Sequence, residues 1–330
     1  MIISRTPYRV SLMGGSTDYR EWFKHNPGAV LSTTIDKYCY VTARRLPPFF
    51  DHKTRAVWSQ IENVRSNADI AHPAIRACLE FMEMEDGLEI HCDGDLPARS
   101  GMGSSASFTV GLLHALYGLK SQMVAKRTLA LAAMEVDQDI SGENVGCQDH
   151  VAAAFGGFNR IDFYGNRGDF AVRPAMVNPA RLRLLESHLL LFYTRLSRTA
   201  SDVAAGKIAN VQANAVQLAR MREMVDEGME ILAGDGSIAE FGRLLHDSWM
   251  LKRGLAQSVT NERIDHYYNV ALKSGAIGGK ILGAGGGGHL LVFAEPRAHG
   301  EIRDALWELV HVPFKFENAG SQIVYYAEDH

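Results

Sequence analysis

Apolar and polar positions alternate through much of the first half of the chain, and this pattern predicts strands. Residues 1–12 alternate and then become apolar, which predicts a strand leading into a glycine-rich turn. Residues 30–44 are rich in β-branched and aromatic side chains, and residues 88–92 alternate again, so both segments are predicted strands. Two further strands are predicted at 158–164 and 189–193, where the chain is mostly apolar.

Helical spacing dominates the second half of the chain. Residues 200–232 are poor in glycine and rich in Ala, Gln, Met and Glu, which predicts one long helix. The other predicted helices are 106–118, 124–139, 238–255, 261–273 and 301–310, and the last predicted strands are 290–293 and 322–326. Because predicted strands predominate early in the chain and predicted helices late, we expect an α+β fold in two domains. Prolines interrupt the pattern at 174–179, so the predicted domains are residues 1–177 and 178–330.

Composition excludes several classes of protein. The chain has 330 residues, of which 46% are apolar and 22% charged, as is typical of a soluble globular protein. The net charge is −4 and no basic block occurs, which argues against a nucleic-acid partner. Neither a membrane span nor a signal peptide is recognisable, so we expect a cytoplasmic protein without a membrane partner. The 4 cysteines form no CxxC pair, which favours reduced thiols over a zinc site or disulfides.

The segment richest in candidate chemistry is residues 96–107, Leu-Pro-Ala-Arg-Ser-Gly-Met-Gly-Ser-Ser-Ala-Ser. Unpaired backbone amides at a helix start bind anions, and glycines let the chain approach an anion closely. Serine hydroxyls add donors, and one of them is suited to a hard cation such as Mg²⁺. A structural helix cap is the alternative, since Ser and Gly are common there too. The segment holds more of both than one cap needs, which favours a polyphosphate site.

A second glycine-rich segment, residues 283–288, matches the pattern GxGxxG. A dinucleotide-binding loop must follow a strand and open a helix, whereas a strand is predicted after this segment. The residue after Gly288 is His289, where a phosphate-binding P-loop has lysine. The segment is therefore either a tight turn between strands or a loop lying close to a ligand.

Two carboxylates have both a structural and a functional interpretation. Asp149 precedes a helical run, so it is either a helix cap or the carboxylate that phosphoryl transfer aims at an acceptor hydroxyl. Asp18 ends the sequence Gly-Gly-Ser-Thr-Asp and is either a turn residue or an acceptor for sugar hydroxyls. Arg9 lies among strand-like residues, where a surface arginine is the default.

Together these segments resemble the three signature blocks of the GHMP kinase superfamily, here residues 7–19, 97–107 and 280–288. The Asp149 segment, which lies between the last two blocks, matches as well. The closer resemblance is to the superfamily's branch of D-glycero-D-manno-heptose 7-phosphate kinases. That branch carries Gly-Gly-x-Thr-Asp, Gly-x-Gln-Asp and Tyr-Thr-x-x-Ser-Arg segments, here residues 14–18, 146–149 and 193–198, and residues 246–253 are also similar. Arg195 departs from the pattern, because glycine is expected there.

The resemblance implies a two-domain GHMP kinase fold, with an N-terminal domain like ribosomal protein S5 domain 2 and a ferredoxin-like C-terminal domain. It implies that Asp149 faces the acceptor hydroxyl and that Arg9 is the cation beside Asp149 and the transferred phosphoryl group. The residues implied to bind ATP are Pro97, Gly101, Met102, Gly103, Ser104, Ser105, Ala106 and Ser107. Those implied to bind the sugar are Gly14, Gly15, Ser16, Thr17, Asp18, Gly285, Gly286 and Arg198. The implied Mg²⁺ ligands are Ser105 and Glu135, with Asp137 as the alternative acid.

The implied reaction is transfer of the ATP γ-phosphoryl group to the anomeric hydroxyl of a heptose 7-phosphate, in the synthesis of nucleotide-activated heptoses. The alternatives are a GHMP kinase for mannose, a mannose phosphate or fucose, and a non-catalytic relative that binds sugar or nucleotide. An acceptor phosphate needs cations, for which the candidates are Lys37, Arg99, Arg195 and, first, Arg198. The expected partners are small molecules, and the expected state is a monomer or homodimer.

Overall fold

Two β-sheets with helices packed against them organise the molecule. The computed structural model describes residues 1–85, 87–166, 168–196 and 200–327. The strands are β1 (Ile2–Met13), β2 (Gly28–Arg45), β3 (Thr54–Val57), β4 (Ile61–Val64), β5 (Leu88–Gly94), β6 (Phe158–Phe163), β7 (Phe170–Pro174), β8 (Leu189–Tyr193), β9 (Ala276–Ile281), β10 (His289–Ala294), β11 (Val310–His311), β12 (Phe316–Glu317) and β13 (Gln322–Tyr326). The helices are α1 (Arg20–Phe23), α2 (Pro73–Phe81), α3 (Ser104–Leu119), α4 (Lys126–Glu135), α5 (Gln148–Phe155), α6 (Pro179–Ser187), α7 (Ala200–Ala209), α8 (Ala215–Ala233), α9 (Ala239–Arg253), α10 (Glu262–Lys273) and α11 (His299–Ala305).

The first sheet is built around the long strand β2. Its order is β13-β1-β2-β5-β3-β4, and β6, β7 and β12 join it through β2 and β6. The later part of β1 is buried on both faces, because α3 and α8 both pack against this strand. Register shifts in the β1–β2 pairing lie between Pro7 and Arg9 and between Ser11 and Met13. Such bulges redirect side chains, and this pair flanks Arg9.

The second sheet is smaller and antiparallel, with the order β11-β8-β10-β9. Strand β10 is buried along its whole length, which explains its continuous apolar sequence. Helices α9 and α10 pack against β9, and a second apolar cluster that includes Trp249 and Tyr268 lies in this region. This arrangement brings the glycine segment between β9 and β10 toward the first sheet.

The end of the chain returns to the first sheet. β13 pairs with β1 and β12 pairs with β2, both antiparallel. The predicted division at 177/178 falls between β7 and α6, and the first sheet takes strands from both sides of it. One apolar core likewise contains residues from both parts, such as Leu31 and Val225.

Two predicted helices differ from the observed ones. The predicted helix 200–232 is two helices, α7 and α8, separated at residues 210–214. Two asparagines flank the break: Asn210 donates to the Gly206 carbonyl (2.8 Å) and Asn214 to the Leu255 carbonyl (2.9 Å), so their amides compete with helix continuation. The predicted helix 124–139 is α-helical only to Glu135 and ends in a π-turn, Val136–Ile140. Within the described ranges, no helix has the length and apolar character needed to cross a membrane.

Candidate active site

Arg9 and Asp149 form a two-pronged ion pair at the centre of the site. Arg9 Nε donates to Asp149 Oδ1 at 2.7 Å and Nη2 donates to Oδ2 at 2.8 Å. Arg9 Nη1 donates to the Gly101 carbonyl at 2.7 Å, so the guanidinium also holds the serine-rich loop. The Arg9 side chain is only 4% exposed, whereas that of Asp149 is 25% exposed. Asp149 is the second residue of α5 and uses its side chain in this pair, which excludes the helix-cap interpretation.

The serine-rich loop leaves the start of α3 uncapped. Gly103 is the N-cap residue, in a left-handed conformation with φ +74°, and no side chain caps this helix among the described residues. The amides of the first turn are therefore available to an anion, which favours the anion-site interpretation over a structural cap. A Cβ on Gly103 would lie 3.2 Å from Arg9 Cγ and 3.5 Å from the Asp149 carboxylate. The glycine therefore lets the loop lie directly against the ion pair.

The predicted ATP-binding residues separate into two groups. Gly101, Gly103, Ser104 and Ser105 are at least partly accessible, and Pro97 is exposed just before the loop. Met102, Ala106 and Ser107 are buried. Ser107 Oγ donates to the Pro7 carbonyl at 2.9 Å, so this hydroxyl anchors α3 to β1 instead of facing a nucleotide.

The second glycine-rich segment packs on the serine-rich loop. A Cβ on Gly283 would lie 2.6 Å from Gly101 Cα, and one on Gly288 would lie 2.3 Å from the Ser100 carbonyl oxygen. Gly285 and Gly286 instead contact Val259, whose carbonyl accepts a 2.8 Å hydrogen bond from the Gly286 amide. Gly283 and Ala284, and not the predicted Gly285 and Gly286, line the cleft.

The Gly14–Asp18 loop forms the other wall. Asp18 is buried; Oδ1 accepts from the Ser16 amide (3.0 Å) and Oδ2 from the Gln148 amide (3.2 Å). Burial, and secondly the charge of Asp149, raise the pKa of Asp18 above its usual value. Of the predicted sugar-binding residues, Gly15, Ser16 and Asp18 line the cleft.

Gly14 and Thr17 shape this loop. The Thr17 hydroxyl donates to the Gly14 and Ala29 carbonyls at 2.8 and 2.9 Å. A Cβ on Gly14 would lie 2.0 Å from the Ala29 carbonyl oxygen, and Gly14 has φ +78°. Only glycine fits that position without displacing β2.

These walls enclose a cleft of about 540 Å³. Two of its buried polar atoms, Ser11 Oγ and Gln148 Oε1, have no hydrogen-bond partner in the described part of the chain. Buried polar atoms normally have partners, so both atoms fit contact with a polar ligand. The polar lining of the cleft suits a small molecule with several hydroxyl groups.

Three buried lysines on the cleft wall were missed by sequence reasoning. Lys207 comes from α7, Lys252 from α9 and Lys280 from β9, and all three line the cleft. Burial lowers the pKa of Lys207 to about 8 and that of Lys280 to about 7, and puts that of Lys252 well below its usual value. Lys207 stands among neutral residues in the sequence, so no local pattern marks it, whereas Lys280 opens the block 280–288 and Lys252 lies in the segment 246–253 without a role having been implied for either.

The cations predicted for an acceptor phosphate are placed differently. Lys37 hydrogen-bonds its neighbour Asp36, Arg99 and Arg195 are exposed, and none of these three lines the cleft. Arg198 lies outside the described residues.

Glu135 and Asp137, the two acids implied to bind Mg²⁺ with Ser105, contact different parts of α3. Burial is the first cause of the raised pKa of Tyr117, and the charge of the exposed Glu135 is the second, so Glu135 lies near that tyrosine. Tyr117 lies 12 residues beyond Ser105 on α3, which is about 18 Å along the helix. The π-turn instead places Asp137 against α3 one turn after Ser105, where Asp137 Oδ1 accepts from the Thr109 hydroxyl at 2.8 Å. Asp137, the alternative acid, is therefore nearer to Ser105 than Glu135 is.

A magnesium ion fits this donor set. No group of three or more His, Cys, Asp or Glu side chains that would suit a metal occurs in the described ranges. Mg²⁺ typically takes one or two carboxylates together with substrate phosphates and water. A serine hydroxyl at an uncapped helix start and the buried carboxylate of Asp137 match that preference, and Asp137 Oδ2 also forms a 2.9 Å hydrogen bond with His150 Nε2, which orients the carboxylate.

Comparison with known proteins agrees with this geometry. The model of the GHMP kinases N-terminal domain matches residues 69–157, and that of the GHMP kinases C-terminal domain matches residues 229–309. A D-glycero-alpha-D-manno-heptose 7-phosphate kinase of Campylobacter jejuni is 28% identical, covering 89% of this chain and 90% of that protein. A galactokinase of Thermococcus kodakarensis is 25% identical, covering 88% of each. Among solved structures, a D-glycero-D-manno-heptose 1-phosphate kinase from Bacteroides thetaiotaomicron superposes with a TM-score of 0.80 at 22% identity, covering 99% and 100% of the two chains.

The fold and the cleft agree with the family models, which match both parts of the chain. The chain belongs to the GHMP kinase family and is an ATP-dependent phosphotransferase.

Proposed function

We propose that the protein phosphorylates D-glycero-D-manno-heptose 7-phosphate at its anomeric hydroxyl, giving the 1,7-bisphosphate and ADP. The observation that carries this proposal is the position of the Arg9–Asp149 pair between the serine-rich loop and the Gly14–Asp18 loop. A nucleotide on the first loop and a sugar on the second would meet at Asp149. The similarity to the Campylobacter heptose 7-phosphate kinase supports the choice of sugar.

The chain's own groups account for binding and orientation. The Gly101, Gly103 and Ser105 region would bind the ATP phosphates through amides at the start of α3. Asp149 would accept a hydrogen bond from the anomeric hydroxyl, and Arg9 keeps that carboxylate in one orientation. Asp18 and Gln148 would bind the other sugar hydroxyls.

The transfer step forms a bond between the anomeric oxygen and the γ-phosphorus and breaks the bond between that phosphorus and the β–γ bridging oxygen. The hydroxyl proton passes to Asp149, and ADP leaves with the bridging oxygen. Such transfer relies mainly on positioning and neutralisation of charge. Mg²⁺, held by Ser105 and Asp137, would supply positive charge to the phosphate oxygens.

The test is ADP release with a panel of acceptors at fixed Mg-ATP. Heptose 7-phosphate is expected to give the highest kcat/KM, above mannose, mannose phosphates and fucose. Phosphorus NMR of the product should show a second phosphate coupled to the anomeric proton. A higher kcat/KM for another sugar would replace the proposed acceptor, and binding without turnover of any sugar would indicate a non-catalytic relative.

A further inference from the structure

The charges that line the cleft do not balance. Its charged side chains are the cations Arg9, Lys207, Lys252 and Lys280 and the carboxylates Asp18 and Asp149. Arg9 and Asp149 neutralise each other in their ion pair. That pairing leaves three ammonium groups and one carboxylate. Buried charges are normally paired, so the surplus indicates a site completed by an anion.

Lys207 and Lys280 have donors to spare. Lys207 is 4% exposed, and its Nζ has one hydrogen bond, a long one of 3.4 Å to Ser16 Oγ. Lys280 is 2% exposed and donates at 2.9 Å to the Leu12 carbonyl. Neither forms an ion pair with a carboxylate in the described part of the chain, although the charges of Asp18 and Asp149 act on Lys207. Each ammonium group carries three N–H donors, so most of them remain for a ligand.

Lys252 differs from the other two. Its Nζ donates to the carbonyls of Ile281 (2.8 Å) and Gly283 (2.7 Å) and so holds the glycine-rich segment in place. Gly283 contacts Gly101 of the nucleotide side. Lys252 therefore uses its donors on the loop and has fewer left for a ligand than Lys207 and Lys280 have.

The two lysines with free donors lie on the acceptor side of the cleft. Lys280 is held by Leu12, two residues before Gly14, and Lys207 by Ser16, inside the sugar loop. Ser11, next to Leu12, adds an unpartnered hydroxyl to the same wall. An anion bound there is separate from the ATP phosphates, whose donors are the amides at the start of α3.

We propose that Lys207 and Lys280 bind the phosphate group that the acceptor carries, so that the site selects phosphorylated sugars over free sugars. The identity of the sugar rests on the proposed function, whereas the phosphate subsite rests on these lysines. Burial is the main cause of the lowered pKa of both lysines; the charges of Asp18 and Asp149 offset it only in part at Lys207, and the charges of Arg9 and Lys207 add to it at Lys280. A dianion supplies negative charge beside them and favours the protonated form of both.

The binding test uses sulfate, which stays dianionic over the relevant pH range. Sulfate is titrated calorimetrically into the full-length protein saturated with Mg²⁺ and a non-hydrolysable ATP analogue, so that the nucleotide site is filled. The variants Lys207→Met and Lys280→Met are each expected to weaken sulfate binding about tenfold or more, because each removes a charge-assisted hydrogen bond. Lys207→Arg, which keeps the charge, should retain most of the affinity. Lys273→Met, at an exposed position of α10, should bind sulfate like the unmodified protein.

The kinetic test compares a sugar phosphate with its unphosphorylated counterpart. Both Met variants should raise KM for the sugar phosphate about tenfold or more and leave KM for ATP within about twofold. Their kcat/KM should fall more for the sugar phosphate than for the free sugar, so that the preference for the phosphorylated acceptor narrows. Sulfate affinity that is unchanged in both variants, or KM for ATP that rises in parallel, would overturn the subsite.

Failure of the proposed function gives a different result. If heptose 7-phosphate is not turned over, the Met variants should still bind sulfate more weakly than the unmodified protein. The kinetic comparison then uses mannose 6-phosphate and mannose in place of the heptose phosphate and the free heptose. If heptose 7-phosphate is turned over but discrimination survives in both variants, the subsite is wrong and the proposed function stands.

Discussion

The polar side chains of the cleft differ in whether the protein itself satisfies them. Arg9 and Asp149 use their charged atoms on each other and on the Gly101 carbonyl, which fixes their geometry before any substrate arrives. Lys207 and Lys280 have one protein hydrogen bond each and no carboxylate in ion-pair contact within the described ranges. Arg9 and Asp149 are therefore preorganised for chemistry, whereas burial of Lys207 and Lys280 destabilises the ligand-free protein and an anionic ligand would remove that destabilisation.

Removing the charge of Asp149 tests the proposed chemistry. Asp149→Asn should lower kcat about 100-fold or more, the scale of a positioned acid–base group, because the amide neither accepts the proton nor pairs fully with Arg9. ADP release under saturating substrates measures the effect. Asp235→Asn, at an exposed loop position, should keep its kcat. Near-normal turnover by Asp149→Asn would remove this residue from the mechanism.

Lys280 provides a test of how far a buried ammonium group of the cleft lowers the free energy of unfolding. The pKa of Lys280 is lowered to about 7, by burial first and then by the charges of Arg9 and Lys207. Its ammonium form therefore opposes folding fully below about pH 7, and the penalty fades as pH rises toward the usual lysine value. Lys280→Met should stabilise the ligand-free protein at pH 6.5, on the order of a few kcal/mol, less the lost bond to Leu12.

Urea unfolding at pH 6.5 and pH 9.5 measures this difference. The stability that Lys280→Met gains over the unmodified protein should be smaller at the higher pH. The other titratable groups of the cleft, Lys207, Lys252, Asp18 and Asp149, are present in both proteins. A loss of stability at pH 6.5, or a difference that does not vary with pH, would contradict the interpretation.

At the scale of elements, the contact between the two glycine-rich loops sets the width of the cleft. Gly101 precedes α3, Gly283 follows β9, and their backbones approach so closely that neither position has room for a Cβ. The motif at 96–107 was predicted as an anion site from its own residues. The role of residues 283–288 stayed open in the sequence because it depends on which distant loop they touch. The structure resolves it in favour of a close approach to the serine-rich loop.

Gly283→Ala should weaken nucleotide binding by separating these loops. The new Cβ would lie 2.6 Å from Gly101 Cα, and Gly283 has φ +64°. Gly142→Ala is the matched control, because Gly142 has φ +67° with nothing within 4 Å of the added Cβ. Both variants pay the backbone penalty of about 1 kcal/mol, but only the first meets a clash. Titration with an ATP analogue should show a loss for Gly283→Ala and none for Gly142→Ala; equal affinities would refute the loop contact.

At the scale of the whole molecule, tertiary structure explains which parts of the site the sequence predicted. Arg9, Asp18 and Asp149 stand in contiguous motifs, whose local sequence left their roles open until the family resemblance implied them. Lys207 lies in no recognised motif, and Lys280 opens the block 280–288, but the meeting of these two lysines from a helix and a strand depends on tertiary structure. The resemblance implied Glu135 first and Asp137 as the alternative, because the spacing between this acid and the Asp149 segment varies across the superfamily. The π-turn changes which of the two acids faces α3 near Ser105.

The same long-range organisation predicts that the chain unfolds as one cooperative unit. β12 and β13, from the end of the chain, complete the first sheet, and α8 packs on β1 and β2, where Leu31 and Met13 approach Gly228. Cutting the chain at 177/178 would leave the first sheet without two strands and expose its core to water. Calorimetry should therefore give a single transition with equal calorimetric and van't Hoff enthalpies. Residues 1–177 expressed alone should lack a cooperative transition, since their core is incomplete. Two separated transitions, or a stably folded 1–177 fragment, would show instead that the division at 177/178 separates two independent domains.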